Sequence, residues 1–236
     1  MKNVVLILLA VILLAACSTQ KRNKVELVLD KQSDLGEGAI WNYKTGELLW
    51  VNITGEILNF YNSSLKNNKE MFAGQMIGTV VPAESGKVMV ALENGFYQLD
   101  PETGSKKLIA NPEDGIEGNR FNDGKCDPAG RFWAGTMSTE DEKEAGSLYR
   151  LDEDSTVHKM IENVTTSNGI VWSADATKMY YIDTPTQKVM AYDYDNLTGD
   201  ISNPQTAVEV PTDMGSPDGM TIDAEGHIWV ALWGGS

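Results

Sequence analysis

A motif that recurs five times along this chain constrains its fold more than any other feature. Each copy begins at a glycine and continues with a short apolar run, a turn and a second apolar run; the leading glycines are Gly38, Gly78, Gly124, Gly169 and Gly219. Successive copies therefore start about 40 to 50 residues apart, a period typical of the four-stranded blades of a β-propeller. Helical periodicity is almost absent. The sequence predicts an all-β, six-bladed β-propeller, with about five blades present in this chain.

The fifth copy ends early, because only one further strand, through Leu232, precedes the last residue, Ser236. Blades must stack and a propeller must close its ring. At about 45 residues a blade, we expect roughly sixty to eighty residues to be missing. The propeller is thus expected over residues 25–236, incomplete at its C-terminus. A four-bladed propeller with a partial extra blade is the alternative.

The first sixteen residues have the pattern of a bacterial signal peptide. Lys2 precedes an apolar run from Val4 to Leu14, too short and too close to the terminus for a membrane span. The sequence that ends at Cys17 matches a lipobox, which predicts a signal peptide over 1–16, lipidation of Cys17 and a tether over 17–24. We expect a lipid anchor in the outer membrane, facing the periplasm, as the sole membrane contact; secretion into the periplasm after ordinary cleavage is the alternative.

The charge balance argues against nucleic acid as a partner. The chain carries 34 acidic and only 19 basic residues, a formal net charge of −15. Phosphate binding requires a clustered basic surface, whereas acidic pockets favour cations.

The residue before each repeat glycine indicates where such a cation could bind. These residues are Glu37, Asp123, Asn168 and Asp218, with Ile77 as the exception. Taken singly, Asn-Gly and Asp-Gly are common hairpin turns. Their repetition at blade spacing, ahead of an apolar strand, instead places them where innermost strands line the central channel. Carboxylates converging there repel each other, so the pattern predicts one divalent ion: Ca²⁺, Mg²⁺ or Mn²⁺, with Zn²⁺ also compatible.

Four segments carry a resemblance to a known family. The nineteen-residue run Asn119–Met137 is similar to the signature of the regucalcin, senescence marker protein and gluconolactonase family. The segments around Glu37, Asn168 and Asp218 resemble the three metal-ligand segments of that family, in the same order. The resemblance extends from about Val25 to the last residue.

The resemblance implies a role for each of these residues. Glu37, Asn168 and Asp218 would be the ligands of one divalent ion, for which Ca²⁺ is favoured, and Asp218 would also accept a proton. Asp123, which the repeat alone places among the ligands, would lie beside them or line the channel. The residues implied to contact substrate are Arg120, Asn122 and Glu140.

The expected activity is the metal-dependent opening of a small sugar lactone of the aldonolactone type. A carbonyl near a divalent ion is polarised, which favours attack by water. Two alternatives stay open: a propeller that binds calcium or a sugar acid without turnover, and a related hydrolase acting on another lactone or ester. The sequence leaves the oligomeric state open.

Overall fold

The computed structural model describes residues 25–84 and 86–235. The predictions for the signal peptide, for Cys17 and for the tether fall on residues 1–24, outside this range. The chain divides into two units. In Met1–Lys31, the described residues 25–31 have no regular secondary structure, and all described strands lie in Gln32–Ser236. No helix among the described residues has the length and apolar character that crossing a bilayer requires.

The second unit consists of antiparallel sheets whose strands are consecutive in sequence. The first sheet contains β1 (Gly36–Asn42), β2 (Glu47–Asn52), β3 (Ile57–Asn62) and β4 (Asn67–Phe72). The second contains β5 (Ile77–Pro82), β6 (Val88–Leu92), β7 (Gly95–Leu99) and β8 (Lys106–Ala110). The third contains β9 (Asn119–Cys126), β10 (Phe132–Ser138), β11 (Gly146–Leu151) and β12 (Val157–Val164).

The fourth sheet contains β13 (Ser167–Trp172), β14 (Lys178–Asp183), β15 (Lys188–Tyr194) and β16 (Ile201–Glu209). The last has two strands, β17 (Ser216–Ile222) and β18 (Ile228–Trp233). Two short 3₁₀ helices, Thr184–Thr186 and Thr212–Met214, lie in connections. The prediction of an all-β propeller built from four-stranded blades is confirmed; the described strands are consistent with about five blades, and closure with a sixth stays a prediction.

Burial explains why these sheets stack. Each of the four apolar clusters is shared by two consecutive sheets, because alternate residues of a strand point to opposite faces. In β10, for example, Phe132 packs toward the second sheet and Trp133 toward the fourth. Trp133 is fully buried, and its ring meets that of Trp172 edge-on at 5.6 Å. The fourth strands are largely exposed, so the apolar interior lies between sheets.

The first strands of the sheets, β1, β5, β9, β13 and β17, contact one another and form the centre of the unit. Each has an irregular register where the repeat glycine lies: the pairing shifts between Glu37 and Ile40, between Ser167 and Ile170, and between Pro217 and Met220. Shifts also occur after Ile77 and between Phe121 and Gly124. Bulges of this kind redirect side chains. The Asn-Gly and Asp-Gly pairs therefore lie inside strands, not in hairpin turns.

Two of the repeat glycines allow neighbouring first strands to approach closely. A Cβ atom on Gly78 would lie 2.4 Å from the carbonyl oxygen of Asn122, and one on Gly169 would lie 2.7 Å from that of Asp218. Any side chain at either position would push adjacent first strands apart. The glycines thus bring the strands that carry the polar residues together at the centre.

Candidate metal centre

The polar residues selected from the repeat meet at the centre of the second unit. Glu37 comes from β1, Asp123 from β9, Asn168 from β13 and Asp218 from β17. Glu37 interacts electrostatically with both Asp218 and Asp123. Asn168 donates a hydrogen bond to the carboxylate of Asp218. Four sheets therefore contribute one polar side chain each to a common site.

The second sheet is the exception, as its sequence indicated. Ile77 is fully buried in the apolar cluster between the first two sheets. The next polar residue of β5, Thr79, is also buried, and its hydroxyl donates to the carbonyl oxygen of Gly124 at 3.0 Å. The first strand of this sheet thus supports β9 and contains no charged residue.

A cavity of about 150 Å³ lies among these first strands. It is lined by backbone and side chains of β1, β5, β9 and β17, including Glu37, Thr79, Asp123, Lys125 and Gly219. The carboxylate of Asp123 reaches toward β17, since its Oδ2 atom is the nearest neighbour of a Cβ built on Gly219, at 3.9 Å. The site is therefore a small polar chamber between separate sheets.

The acidic groups of this chamber hold their protons more tightly than usual. Burial, followed by repulsion from Asp218 and Asp123, raises the pKa of Glu37 to about 7. Burial also raises the pKa of Asp123 and of Asp218. Hydrogen bonds from Gly219 N–H and from Asn168 partly oppose the effect at Asp218. Three carboxyl groups thus share a site in which their ionised forms are disfavoured.

Two basic side chains act electrostatically on these acidic groups, and each has other partners. Lys125 Nζ donates to the carbonyl oxygen of Met220 at 3.0 Å, which links β9 to β17, and the Asp123 charge opposes the lowering of the Lys125 pKa by burial. Arg120 is buried and donates through Nη1 to Phe121 O at 3.0 Å and to Asn122 Oδ1 at 2.8 Å. Burial lowers its pKa, and the Glu37 charge opposes that effect.

The residues expected to contact substrate lie on the third sheet. Asn122 Nδ2 donates to the carbonyl oxygen of Ser167 at 2.8 Å, which fixes its amide beside β13. Arg120 and Asn122 form a hydrogen-bonded pair, and the charge of Arg120 acts on Glu37. Glu140 is exposed and follows the end of β10; its backbone N–H donates to Ser138 Oγ at 3.0 Å. The structure brings the first two to the site, while the carboxylate of Glu140 has no hydrogen bond to any described site residue.

A second cluster of possible ligands lies on the outside of the two-stranded sheet. Ligand atoms of Asp223, Glu225 and His227 lie within 4.8 Å of one another. The Asp223 carboxylate already accepts from Trp229 Nε1 at 2.9 Å and from the backbone N–H groups of Glu225 and His227 at 3.1 and 2.8 Å. Its pKa is lowered to about 2, first by the Trp229 hydrogen bond. Hydrogen bonds from protein donors therefore already stabilise the negative charge of Asp223.

The third sheet contains the same turn, which shows that this arrangement is structural. Asp127 accepts from the N–H groups of Ala129 and Arg131 and from Trp133 Nε1 at 3.0 Å. The spacing from Asp127 to Trp133 equals that from Asp223 to Trp229. The outer cluster is therefore a repeat of a stabilising turn, and the chamber is the better candidate for an ion.

The donors of the chamber fit a hard divalent cation. Carboxylate and amide oxygens are the ligands that such ions prefer. Among the described residues, Arg120 and Lys125 are the basic side chains that act on these carboxyl groups, and repulsion from Asp218 and Asp123 still raises the pKa of Glu37. A cation bound by Glu37, Asn168 and Asp218 would remove that repulsion.

Comparison with known proteins identifies the family. The model of the SMP-30/gluconolactonase/LRE-like region matches residues 35–236. The chain belongs to this family. It is 41% identical over 210 residues to a Bacillus subtilis protein named sugar lactone lactonase YvrE, covering 89% of this chain and 72% of that one. It is 42% identical over 217 residues to Xenopus laevis regucalcin, covering 90% and 73%.

A solved structure of the same family supports the fold. The crystal structure of a calcium-binding regucalcin from Agrobacterium tumefaciens superposes with a TM-score of 0.84 at 30% identity, covering 88% of this chain and 70% of that chain. The recognition of the regucalcin and gluconolactonase family from the sequence is thereby confirmed.

Three residues of the site were not found from the sequence: Thr79, Lys125 and Thr184. Lys125 had a usable signal, because it follows Asp123 by two positions in a strand and so points to the same face. Thr184 lies in a connection and carries no such signal. Its hydroxyl accepts from Asn168 Nδ2 at 2.9 Å and donates to Pro217 O at 2.8 Å.

Proposed function

We propose that this protein is a metal-dependent lactonase that opens a small sugar lactone of the aldonolactone type. The observation that carries the proposal is the group of three carboxyl side chains with raised pKa, from three different sheets, of which Asp123 and Asp218 both act electrostatically on Glu37. The lactonase name of the Bacillus relative and the calcium-binding description of the Agrobacterium regucalcin support the choice of reaction and of ion.

We propose Glu37, Asn168 and Asp218 as the ligands of one divalent ion, with Ca²⁺ favoured over Mg²⁺, Mn²⁺ and Zn²⁺. When bound, such an ion supplies Lewis acidity that polarises the lactone carbonyl. Asp123 lies beside the ligands, where Lys125 opposes its charge. In this proposal Lys125 offsets part of the Asp123 charge beside the ion.

The chain's own residues then bind substrate and move the proton. Arg120 and Asn122 present hydrogen-bond donors and acceptors to ring and hydroxyl oxygens. Water attacks the carbonyl carbon, a new C–O bond forms, and Asp218 accepts the proton of the water. The ring C–O bond breaks and the proton passes to the ring oxygen, which gives the open hydroxy acid. Glu140 is proposed to accept hydrogen bonds from sugar hydroxyls at the exposed edge of the same sheet.

The test is hydrolysis of aldonolactones by the full chain, before and after treatment with a chelator. We expect turnover that is lost on chelation and restored by Ca²⁺. Asp218→Ala should abolish both turnover and ion binding, because it removes a ligand and the proton acceptor together. Glu225→Gln is the matched control, since it alters the outer cluster and leaves the chamber intact.

Three results would contradict the proposal. Turnover that persists without metal would remove the ion from the reaction. Ion binding without turnover of any lactone would favour the alternative of a propeller that binds calcium or a sugar acid. Loss of ion binding in Glu225→Gln, with ion binding by Asp218→Ala unchanged, would indicate that the ion binds at the outer cluster instead.

We also propose that Cys17 is lipidated and anchors the protein in the outer membrane, facing the periplasm. The support is the lipobox that ends at Cys17. Cell fractionation tests it: the native chain should be found with membranes, and Cys17→Ala should release it.

A further inference from the structure

Thr184 is the first residue of the 3₁₀ helix Thr184–Thr186, which connects β14 to β15. It belongs to none of the first strands, yet its hydroxyl contacts two of the segments that carry proposed ligands. Oγ1 lies 2.9 Å from Nδ2 of Asn168 and 2.8 Å from the carbonyl oxygen of Pro217, the residue before Asp218. A single side chain therefore joins β13 of the fourth sheet to β17 of the last.

The chemistry of this hydroxyl fixes the orientation of the Asn168 amide. A threonine hydroxyl has one proton to donate, and the Pro217 carbonyl can only accept. Since that proton is used by Pro217, the other partner must donate to Thr184, and in Asn168 only the NH₂ group can donate. Oδ1 is then the amide atom left for a cation, and it has no hydrogen-bond donor among the described residues.

The backbone holds Thr184 in place. Its N–H donates to Thr166 O at 3.1 Å. The preceding residue, Asp183, accepts through its carboxylate from the N–H groups of Thr165 and Thr166 at 3.2 and 2.8 Å. Thr184 is thus anchored to the segment that leads directly into Asn168, so its hydroxyl is placed before any ion arrives.

We propose that Thr184 is a positioning residue of the metal site, orienting the Asn168 oxygen and fixing the strand that carries Asp218. This inference rests on the proposed function, because it assumes that Asn168 and Asp218 bind an ion. Groups that hydrogen-bond to metal ligands restrict their rotation, and losing one typically lowers metal affinity about 10- to 100-fold.

The test compares three variants of the full chain, stripped of metal and titrated calorimetrically with calcium, magnesium, manganese and zinc chloride in turn. Thr184→Val keeps the shape of the side chain and loses both hydrogen bonds, so we expect affinity about 10- to 100-fold below that of the native chain. Thr184→Ser keeps the hydroxyl and should bind within about threefold of the native chain. Thr186→Val is the matched control: that hydroxyl donates only to Asp183 O, at 2.7 Å, and its loss should leave affinity unchanged.

Each outcome distinguishes this inference from the proposed function. If the native chain binds none of the four ions, the proposed metal site is wrong, and the proposed role of Thr184 is wrong as well. If the native chain binds an ion and Thr184→Val binds it equally well, only the role of Thr184 is wrong. Thermal melting in chelator provides the second measurement. If Thr184→Val fails to melt cooperatively while Thr186→Val melts normally, Thr184 has a purely structural role and the proposal that it positions the metal ligands is wrong.

Discussion

Glu37 offers the sharpest test of the site, because its charge should cost stability when no ion is present. Its pKa is raised from 4.5 to about 7 in the folded chain. The folded state therefore binds a proton more tightly than the unfolded state between these values. A carboxyl group perturbed in this direction has no effect on stability below pH 4.5 and destabilises the fold progressively as the pH rises toward 7.

The size of the effect follows from the shift. One pKa unit corresponds to 1.36 kcal/mol, so the raised pKa of Glu37 represents about 3 kcal/mol of lost stability at pH 8, and screening reduces this to about 2 kcal/mol. Glu37→Gln keeps the shape of the side chain and removes the charge. We expect the metal-free variant to be about 2 kcal/mol more stable than the native chain at pH 8 and equally stable at pH 4.5.

The assay is urea unfolding in chelator at both pH values, repeated with excess Ca²⁺ at pH 8. Added Ca²⁺ should stabilise the native chain, since a ligand at 100 times its Kd contributes about 2.7 kcal/mol, and it should have little effect on Glu37→Gln. Glu225→Gln, which changes an exposed carboxylate, should follow the native chain throughout. A metal-free Glu37→Gln that is less stable than the native chain at pH 8 would refute the argument that the Glu37 charge is buried and repelled.

Three further predictions concern the surroundings of the site. The affinity for Ca²⁺, measured calorimetrically, should fall about tenfold per pH unit below about 7, because the ion must displace a proton from the chamber; a constant affinity from pH 8 to 6 would contradict this. Lys125→Met should lower the free energy of unfolding by about 2 kcal/mol, since it removes the hydrogen bond from the Lys125 ammonium to Met220 O that links β9 to β17, and a loss in urea melts no larger than that of Lys44→Met would contradict this role. Asp127→Ala should cost about 3 kcal/mol in the same melts, because it leaves buried donors unpaired, whereas Asp223→Ala, at an exposed turn, should cost less.

Much of the fold could be predicted from the sequence because each copy of the repeat contains a glycine that the local strand geometry requires. Each repeat glycine lies at a register shift of a first strand, and at Gly78 and Gly169 a side chain would collide with the neighbouring strand. Because this requirement recurs in successive sheets, it appears in the sequence as a regular spacing of glycines. The same logic led from the residues before the glycines to Glu37 and Asp218, since equivalent positions in successive blades face one centre.

The rest of the site could not be predicted, because it depends on contacts between segments with no shared period. Thr184 reaches Pro217 from a connection 33 residues earlier, and Lys125 reaches Met220 across 95 residues. Asn-Gly and Asp-Gly were also ambiguous as dipeptides, because only the strand pairing shows that they occupy bulges and not turns. Patterns thus identify which residues face the centre, whereas the bonds that orient them require the structure.

The position of the carboxylates also relates the site to the stability of the whole unit. Glu37 lies in the first sheet and Asp218 in the last, so an ion bound by both would join the two ends of the row of stacked sheets. Without an ion, the repulsion between Glu37 and Asp218 acts between the same two strands, whereas the hydrogen bond from Lys125 to Met220 holds β17 to β9. Ion binding should therefore act as part of folding. It follows that β1 and β17 should exchange their amide hydrogens more slowly when Ca²⁺ is added, while the exposed β16 should not change.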